Sequence, residues 1–285
     1  MGWRQWADAG NVSSGLPRYL VELTQARHVG RIAPDSFYLF QMPTGHHLLR
    51  PIVKLKDGLV ESMQGQSNDL YYSGEEDRGF FIFLGDEPHM NADGYVGAIL
   101  DLAQELGIKR IAAVGGVYGA VPYDKDRDIG CVYSLPSMRQ ELERLAIRFS
   151  NYEGGTTIST FLADRAAKRS IEFVGFYALV PSYDFAKPAL LAHSVAVAED
   201  FKAWYDLMTR INYMFDLGLD LLDLQEQSKT LIEAWEEKMS ELARIMPQLE
   251  IPQYLDKIRS EFVERSFVPL SDIWEEELKD RKSVV

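Results

Sequence analysis

FFIFLGDEPHMNADGYVGAILDLAQELGIKRIAAVGG, residues 80–116, is the stretch whose reading decides the fold. Phe80 to Gly85 is a short apolar run rich in aromatic and β-favouring residues, as a buried strand requires. DEPHMN is a polar turn. Val96, Ile99, Leu100, Ala103 and Leu106 then recur at helical spacing, and Gly107 suits the position just past a helix end. Ile111 to Val114 is a second buried strand, closed by Gly115-Gly116. Strand, helix, strand is a crossover unit, so the two runs are expected to pair in parallel. Open α/β sheets collect ligands beyond the carboxyl ends of such strands. That logic places Asp86, Glu87, His89, Gly115, Gly116 and Tyr118 on one rim.

Working outward, the same alternation continues. Pro17, Leu20, Val21 and Leu23 give a helix with Ser13 or Ser14 as its N-cap. Only five residues precede Trp6, room for a very short strand or for part of one. Residues 28–79 read as short strands: Tyr38 to Gln41, then Arg50 to Lys56 and Leu59 to Met63 around a Lys56-Asp57-Gly58 hairpin turn, then Asn68 to Ser73. Ile129 to Ser134 is a further strand, and Ser137 opens a helix carrying Met138, Leu142, Leu145 and Phe149. Thr156 or Thr157 opens another, through Ile158, Phe161, Leu162 and Ala166. Glu172 to Val180 is a nearly continuous apolar strand ended by Pro181. Lys187-Pro188 is expected to start a long helix through Tyr205. Past Phe215 a stripe of Leu217, Leu221, Leu224, Leu231, Trp235, Leu242 and Ile245 repeats at helical spacing. Pro247 ends it, and helices at Gln253–Glu264 and Asp272–Arg281 follow. Residues 215–285 hold 17 acidic and 9 basic side chains. The expected division is an α/β body over residues 1–210 and a helical C-terminal arm over 211–285.

Composition excludes several classes. The 285 residues include 43 acidic and 30 basic, a net charge of −13. Such a surface repels phosphate backbones, so nucleic acid is not an expected partner. Cys131 is the single cysteine, which excludes an intrachain disulfide and fits a reducing cytoplasm. No apolar run approaches the roughly 20 residues of a membrane span, and Arg4 and Asp8 interrupt any signal-peptide pattern.

Four stretches in order resemble the proteasome assembly chaperone 2 family of archaea and bacteria. They are Trp6-Ala-Asp-Ala-Gly10, Leu84-Gly-Asp-Glu-Pro88, Asn151-Tyr-Glu-Gly-Gly-Thr-Thr-Ile158, and Leu179-Val-Pro-Ser-Tyr183 followed by Lys187-Pro-Ala189. The resemblance covers about residues 3–205. It implies a three-layer α/β/α sandwich with a mixed sheet, similar to nucleoside phosphorylases and related hydrolases. Some members of that family resemble chaperones that help assemble proteasome α-rings. Three departures stand out. The Pro-His-Thr-Arg-Pro turn common in the family reads Pro122-Tyr-Asp-Lys-Asp126 here, which disfavours histidine chemistry at that turn. Gly155 replaces a proline. The chain ends Ser283-Val-Val285, without the hydrophobic-tyrosine tail of archaeal members that dock on proteasome rings.

Candidate site residues lie in the strand-exit loops. Tyr152, Glu153, Gly154, Gly155 and Thr156 form a glycine turn before a helix, where free N–H groups attract anions. The structural reading of the same residues is a turn with a threonine cap, and the Glu153 charge opposes a bound anion. Glu87 and His89 are spaced for acid–base chemistry, or for a tight turn that caps the next helix. Asp8 and Asn11 are candidates for holding a polar ligand, or for satisfying their own backbone. Tyr183 and Asp184 carry the same pair of readings. No P-loop, G-x-S-x-G, H-E-x-x-H or dinucleotide fingerprint occurs, and His46-His47 lacks further ligands at metal spacing. No metal and no cofactor is expected. The expected protein is a non-catalytic, homo-oligomeric interaction module with a protein client. The rival is a hydrolase or phosphorylase acting on a small polar metabolite at the rim.

Overall fold

The structure, a computed structural model, describes residues 1–34, 36–40, 50–75, 78–185 and 195–268. Its first sheet holds β1 (Gly2–Arg4), β2 (Arg27–Arg31), β5 (Asn68–Gly74) and β6 (Gly79–Asp86) in the order β1-β6-β5-β2. The second holds β7 (Arg110–Gly119), β8 (Ile129–Tyr133), β9 (Arg148–Phe149), β10 (Glu172–Tyr183) and β11 (Val195–Ala196). Here β10 is parallel to β7 and antiparallel to β8 and β11.

The two sheets join through β1. Gly2 to Arg4 pair in parallel with Leu84 to Asp86. On the other side the Met1 nitrogen donates to the Ala112 carbonyl at 2.7 Å, and Val114 N donates to the Met1 carbonyl at 3.0 Å. The expected direct pairing of the Phe80 and Ile111 runs is therefore corrected. Both run parallel to β1, which lies between them. Past β1 the junction continues where the Gly116 N–H reaches the Ala7 carbonyl at 2.7 Å. That approach requires glycine: a Cβ on Gly116 would sit 2.0 Å from the Ala9 carbonyl oxygen.

Alternate residues of the strands face opposite layers, as the pleat dictates. Ile111, Ala113 and Phe173 pack with Val96, Ile99, Leu100, Leu162 and Ala166 of α2 (Ala92–Glu105) and α4 (Ile158–Lys168). Val114, Val174, Phe176 and Val180 pack with Leu16 of α1 (Gly15–Leu23) and Leu207 and Met208 of α5 (Phe201–Phe215). The result is helix, sheet, helix, as expected. The arm adds α6 (Leu222–Ile245) and α7 (Ile251–Glu261), whose Leu224, Trp235, Met239 and Leu255 join the α1/α5 layer. No helix among the described residues is long and apolar enough to cross a membrane.

Other expectations shift. Ser14 occupies the N-cap position of α1 but makes no side-chain cap bond, and the Ser13 hydroxyl accepts from Trp3 N instead. Residues 38–40 form no strand, and Gln41 lies outside the described residues. The helix expected from Ser137 to Phe149 is a chain of short turns around α3 (Arg139–Leu142). It stops at Ala146, whose φ is +49°, and Phe149 belongs to β9. Pro181 does not end β10. Pairing with β8 stops at Ala178, and the Pro181 carbonyl still accepts from Val197 N at 3.1 Å, so the strand runs on to pair with β11. The long helix expected from Lys187 begins at Phe201, capped by Asp200, after β11; residues 186–194 lie outside the described set. The third arm helix, at 272–281, lies outside it too. The Asp57-Gly58 hairpin is present: φ values of +49° and +82° link β3 (Ile52–Lys56) to β4 (Leu59–Gln64).

Candidate functional site

The carboxyl ends of β1, β6 and β7 and the loop before α4 form the rim on which sequence reasoning placed most candidates. Asp8, Glu87, His89 and Thr157 each have an internal partner. The Asp8 carboxylate accepts from the Ser13 and Ser14 amides at 2.9 and 2.8 Å, closing its own turn, and Asp8 itself bridges to Gly116. Burial raises its pKa, and the two serine amides oppose the shift. Asn11 adopts a φ of +49° in the same turn.

Glu87 and His89 do not meet. The Glu87 Oε1 accepts from Ile158 N at 2.8 Å, the first amide of α4. The helix N-terminus that was a candidate anion site thus already holds a carboxylate from the next loop, which complements the helix dipole. The His89 Nδ1 accepts from Leu39 N at 3.1 Å, and its ring stands edge-on to Tyr38 at 5.4 Å. Burial lowers the His89 pKa, so the neutral imidazole serves as a backbone acceptor. Helix α2 is capped by Asn91, not by Glu87.

Thr157, rather than Thr156, caps α4 by accepting from Thr160 N at 3.0 Å. Its hydroxyl also lies 3.0 Å from the Tyr177 hydroxyl. The preceding loop is open: Tyr152, Glu153, Gly154, Gly155 and Thr156 are exposed, and Tyr152 OH folds back to the Gly155 carbonyl at 3.3 Å. Tyr183 lies elsewhere. It is fully buried, donates to the Val121 carbonyl at 2.8 Å, and is covered by Trp235 and Tyr254 of the arm. Trp204 is likewise internal, its Nε1 bonded to the Gly10 carbonyl at 3.0 Å. His46 and His47 lie outside the described residues, among which no group of three or more His, Cys, Asp or Glu could hold a metal.

Two polar clusters escaped sequence reasoning. In the first, Arg4 grips Asp86 with two bonds of 2.7 and 2.6 Å, and the Tyr38 and Tyr95 hydroxyls converge on Asn68 Oδ1 at 2.7 and 2.8 Å. Trp3 Nε1 donates to Tyr95 OH at 2.9 Å. Burial pushes Tyr38 up to about 12, so both tyrosines act as hydroxyl donors, not as acids near neutral pH. In the second, Arg127 is buried and bidentate to Asp200 at 2.8 and 3.1 Å. Beside it Lys202 bridges Asp126 and Asp206. Arg4–Asp86 and Arg127–Asp200 join residues far apart in the chain, so no local spacing announces them.

The Glu87 geometry makes a pH prediction. Burial raises its pKa above 4.5, outweighing the Ile158 bond. A folded state that holds a proton more tightly than the unfolded chain loses stability as pH rises between the two pKa values. Glu87→Gln keeps the acceptor for Ile158 N–H and removes the charge. The difference in denaturant midpoint between Glu87→Gln and the parent should therefore grow in favour of the variant as pH rises through this window, then level off. A difference that is flat from about pH 4 to 7 contradicts the assignment.

Among curated proteins, none matches the chain in sequence. The chain is similar in structure to a proteasome-assembly chaperone homologue of Mycobacterium tuberculosis, with a TM-score of 0.70 and 21% identity over 84% of this chain and 92% of the other. A PAC2 family protein from Streptomyces avermitilis superposes with a TM-score of 0.69 and 21% identity, over 89% and 97% of the two chains. PbaB, an archaeal proteasome activator from Pyrococcus furiosus, matches with a TM-score of 0.55 and 17% identity, over 80% and 88%. At these identities the likeness concerns the fold. The sequence itself matches the model of the PAC2 family over residues 3–243. By that match across most of its length, and by the layered fold that carries it, the chain belongs to the PAC2 family.

Proposed function

We propose that this protein is a cytoplasmic, non-catalytic, homo-oligomeric module that assists the assembly of proteasome components. Relatives described as a proteasome-assembly chaperone homologue and a proteasome activator supply the direction. The observation that carries the reading is the rim: Asp8, Glu87, His89 and Thr157 are each engaged by the protein's own backbone amides. A metabolite enzyme needs such groups facing a substrate, in mutual reach.

The homo-oligomer is supported by the β3–β4 hairpin. Ile52, Val53, Leu55, Leu59, Val60 and Met63 are 46–75 % exposed, and the hairpin forms a two-stranded sheet of its own. A lone ribbon with apolar residues on both faces is marginal in water and marks an interface. Ile52→Glu with Leu59→Glu, at positions 72 % and 75 % exposed, should leave the body folded and shift sedimentation to the monomer. The assembly role is tested by mixing the purified chain with proteasome α-subunits from the same cell. The expected result is a stoichiometric complex and faster ring formation. No complex at about 10 μM, or turnover of a small metabolite abolished by Glu87→Gln, overturns the proposal.

A further inference from the structure

The β3–β4 hairpin and the rim belong to the same end of the molecule. Strand β2 leaves the first sheet at Arg31, opposite Asp69, and β5 re-enters it at Asn68, opposite Gly85 of β6. The segment between them, which carries the hairpin, is tied to that end. The Tyr38 hydroxyl donates to the Asp86 carbonyl at 2.7 Å, and His89 N donates to the Phe37 carbonyl at 2.9 Å. Every residue of β3 and β4 is exposed, so the ribbon stands off the body. Cross-strand pairing sorts its side chains. Val53 pairs with Met63 and Leu55 with Val60, so these four share one face, each 46–64 % exposed. Lys54 opposite Ser62, and Ile52 opposite Gln64, lie on the other face.

The rim shows a second apolar surface. Met90 after β6, Trp6 after β1, Val117 and Tyr118 at the end of β7, and Tyr152 in the loop before α4 are 44–75 % exposed. Hydrogen bonds tie these loops together. Gly116 N donates to the Ala7 carbonyl, the Thr157 hydroxyl meets the Tyr177 hydroxyl of β10, and Glu87 accepts from the first amide of α4. From β6 through β1 and β7 to β10 the strand ends span three spacings, about 14 Å. A ribbon with strands of five and six residues is about 17–20 Å long. One hairpin laid across the strand ends covers this surface.

We propose that the apolar face of the hairpin docks on the rim of a second copy of this chain. That the partner is a second copy rests on the homo-oligomer reading; that hairpin meets rim goes beyond it. Area decides between this contact and one of hairpin against hairpin. A stable interface takes about 800 Å² from each partner. The four hairpin side chains expose about 400 Å² and the five rim side chains about 600 Å². Hairpin against hairpin therefore falls short by about half. Hairpin on rim uses both surfaces of every chain, reciprocally in a two-fold pair or in turn around a closed ring. Because hairpin and rim share one end, copies that meet at that end bring each hairpin to another's strand ends.

The test is sedimentation of the full chain and two charge variants. Leu55→Glu with Val60→Glu marks the hairpin, and Trp6→Glu with Tyr152→Glu marks the rim. All four positions are 59–75 % exposed, so the body should stay folded, with an unfolding midpoint near the parent's. The parent should be oligomeric at about 10 μM and each variant alone monomeric. An equimolar mixture should form a heterodimer through the one intact hairpin and the one intact rim, at least about tenfold weaker than the parent. Met63→p-benzoylphenylalanine, photolysed in a mixture of unlabelled and isotope-labelled chains, should cross-link to a rim loop of the other chain. Three results overturn the docking and leave the homo-oligomer reading standing. They are a variant that stays oligomeric, a mixture that stays monomeric at about 1 mM, or cross-links to a second hairpin. A parent that is monomeric at about 100 μM overturns both.

Discussion

Asp200→Ala should cost the protein about 3–5 kcal/mol, the range for removing one partner of a buried ion pair. Asp200 is fully buried and holds three parts of the fold together. Its carboxylate grips Arg127 in the β7–β8 loop with two bonds and accepts from Ala203 N to cap α5, and its amide donates to the Gly10 carbonyl. Arg127 is 1 % exposed, and the remaining bonds of its guanidinium go to the Pro122, Tyr123 and Lys125 carbonyls at 3.4, 3.0 and 2.8 Å. Removing Asp200 leaves that guanidinium buried with neutral acceptors only. The magnitude comes from the stranded charge, not from the net worth of the pair. Arg127→Met combined with Asp200→Ala should therefore lose clearly less than the sum of the single changes. Urea unfolding of the three variants decides it. A single-variant loss below about 1 kcal/mol would mean that the pair is hydrated in solution.

The contrast between what the sequence disclosed and what it hid has a physical basis. Central strands of a sheet covered on both faces are continuous apolar runs, so FFIFLG, IAAV and EFVGFYALV announced themselves. Their neighbours did not. Strand β1 is three residues long and owes its place between β6 and β7 to the turn that brings Ala7 and Asp8 onto Gly116, which no periodicity encodes. The buried side of Met138, Leu142 and Leu145 was legible, yet the backbone between them breaks into short turns ended by Ala146. At the rim, Asp8, Glu87 and Thr156 or Thr157 were legible as polar groups at strand ends; Asp8 satisfies its own turn and Thr157 caps α4, but Glu87 does not cap the next helix, α2, as expected. The partner was the illegible part: Glu87 caps a helix that begins 71 residues later. Arg127 and Asp200 sit 73 residues apart, so no local spacing pairs them.

Trp235→Ala should open the arm while leaving the sheet closed. Trp235 of α6 is 6 % exposed, and its ring stands 6.2 Å from Tyr123 and 6.1 Å from Tyr183. Tyr254 of α7 approaches Tyr183 from the other side at 5.9 Å. The arm also meets the β7–β8 loop through ions: Arg259 with Asp124 at 3.2 Å, Glu264 with Lys125 at 3.1 Å, and Arg265 with Asp128 at 3.0 Å. Magnitudes rank these contacts. Four of the six ionic side chains are 33–42 % exposed, and such pairs are worth about 0–1 kcal/mol each. Deleting a buried tryptophan costs about 3–5 kcal/mol. The aromatic stack therefore holds the arm, and the ions set its register. Hydrogen exchange separates the outcomes, because local opening exposes only the amides it frees. Protection across α6 and α7 should fall by about two to three orders of magnitude in Trp235→Ala, with β6, β7 and β10 nearly unchanged. Arg259→Ala should move the same amides by less than about tenfold. Equal loss of protection in the arm and the sheet would instead make the arm one cooperative unit with the body, with Trp235 a core residue of the whole molecule.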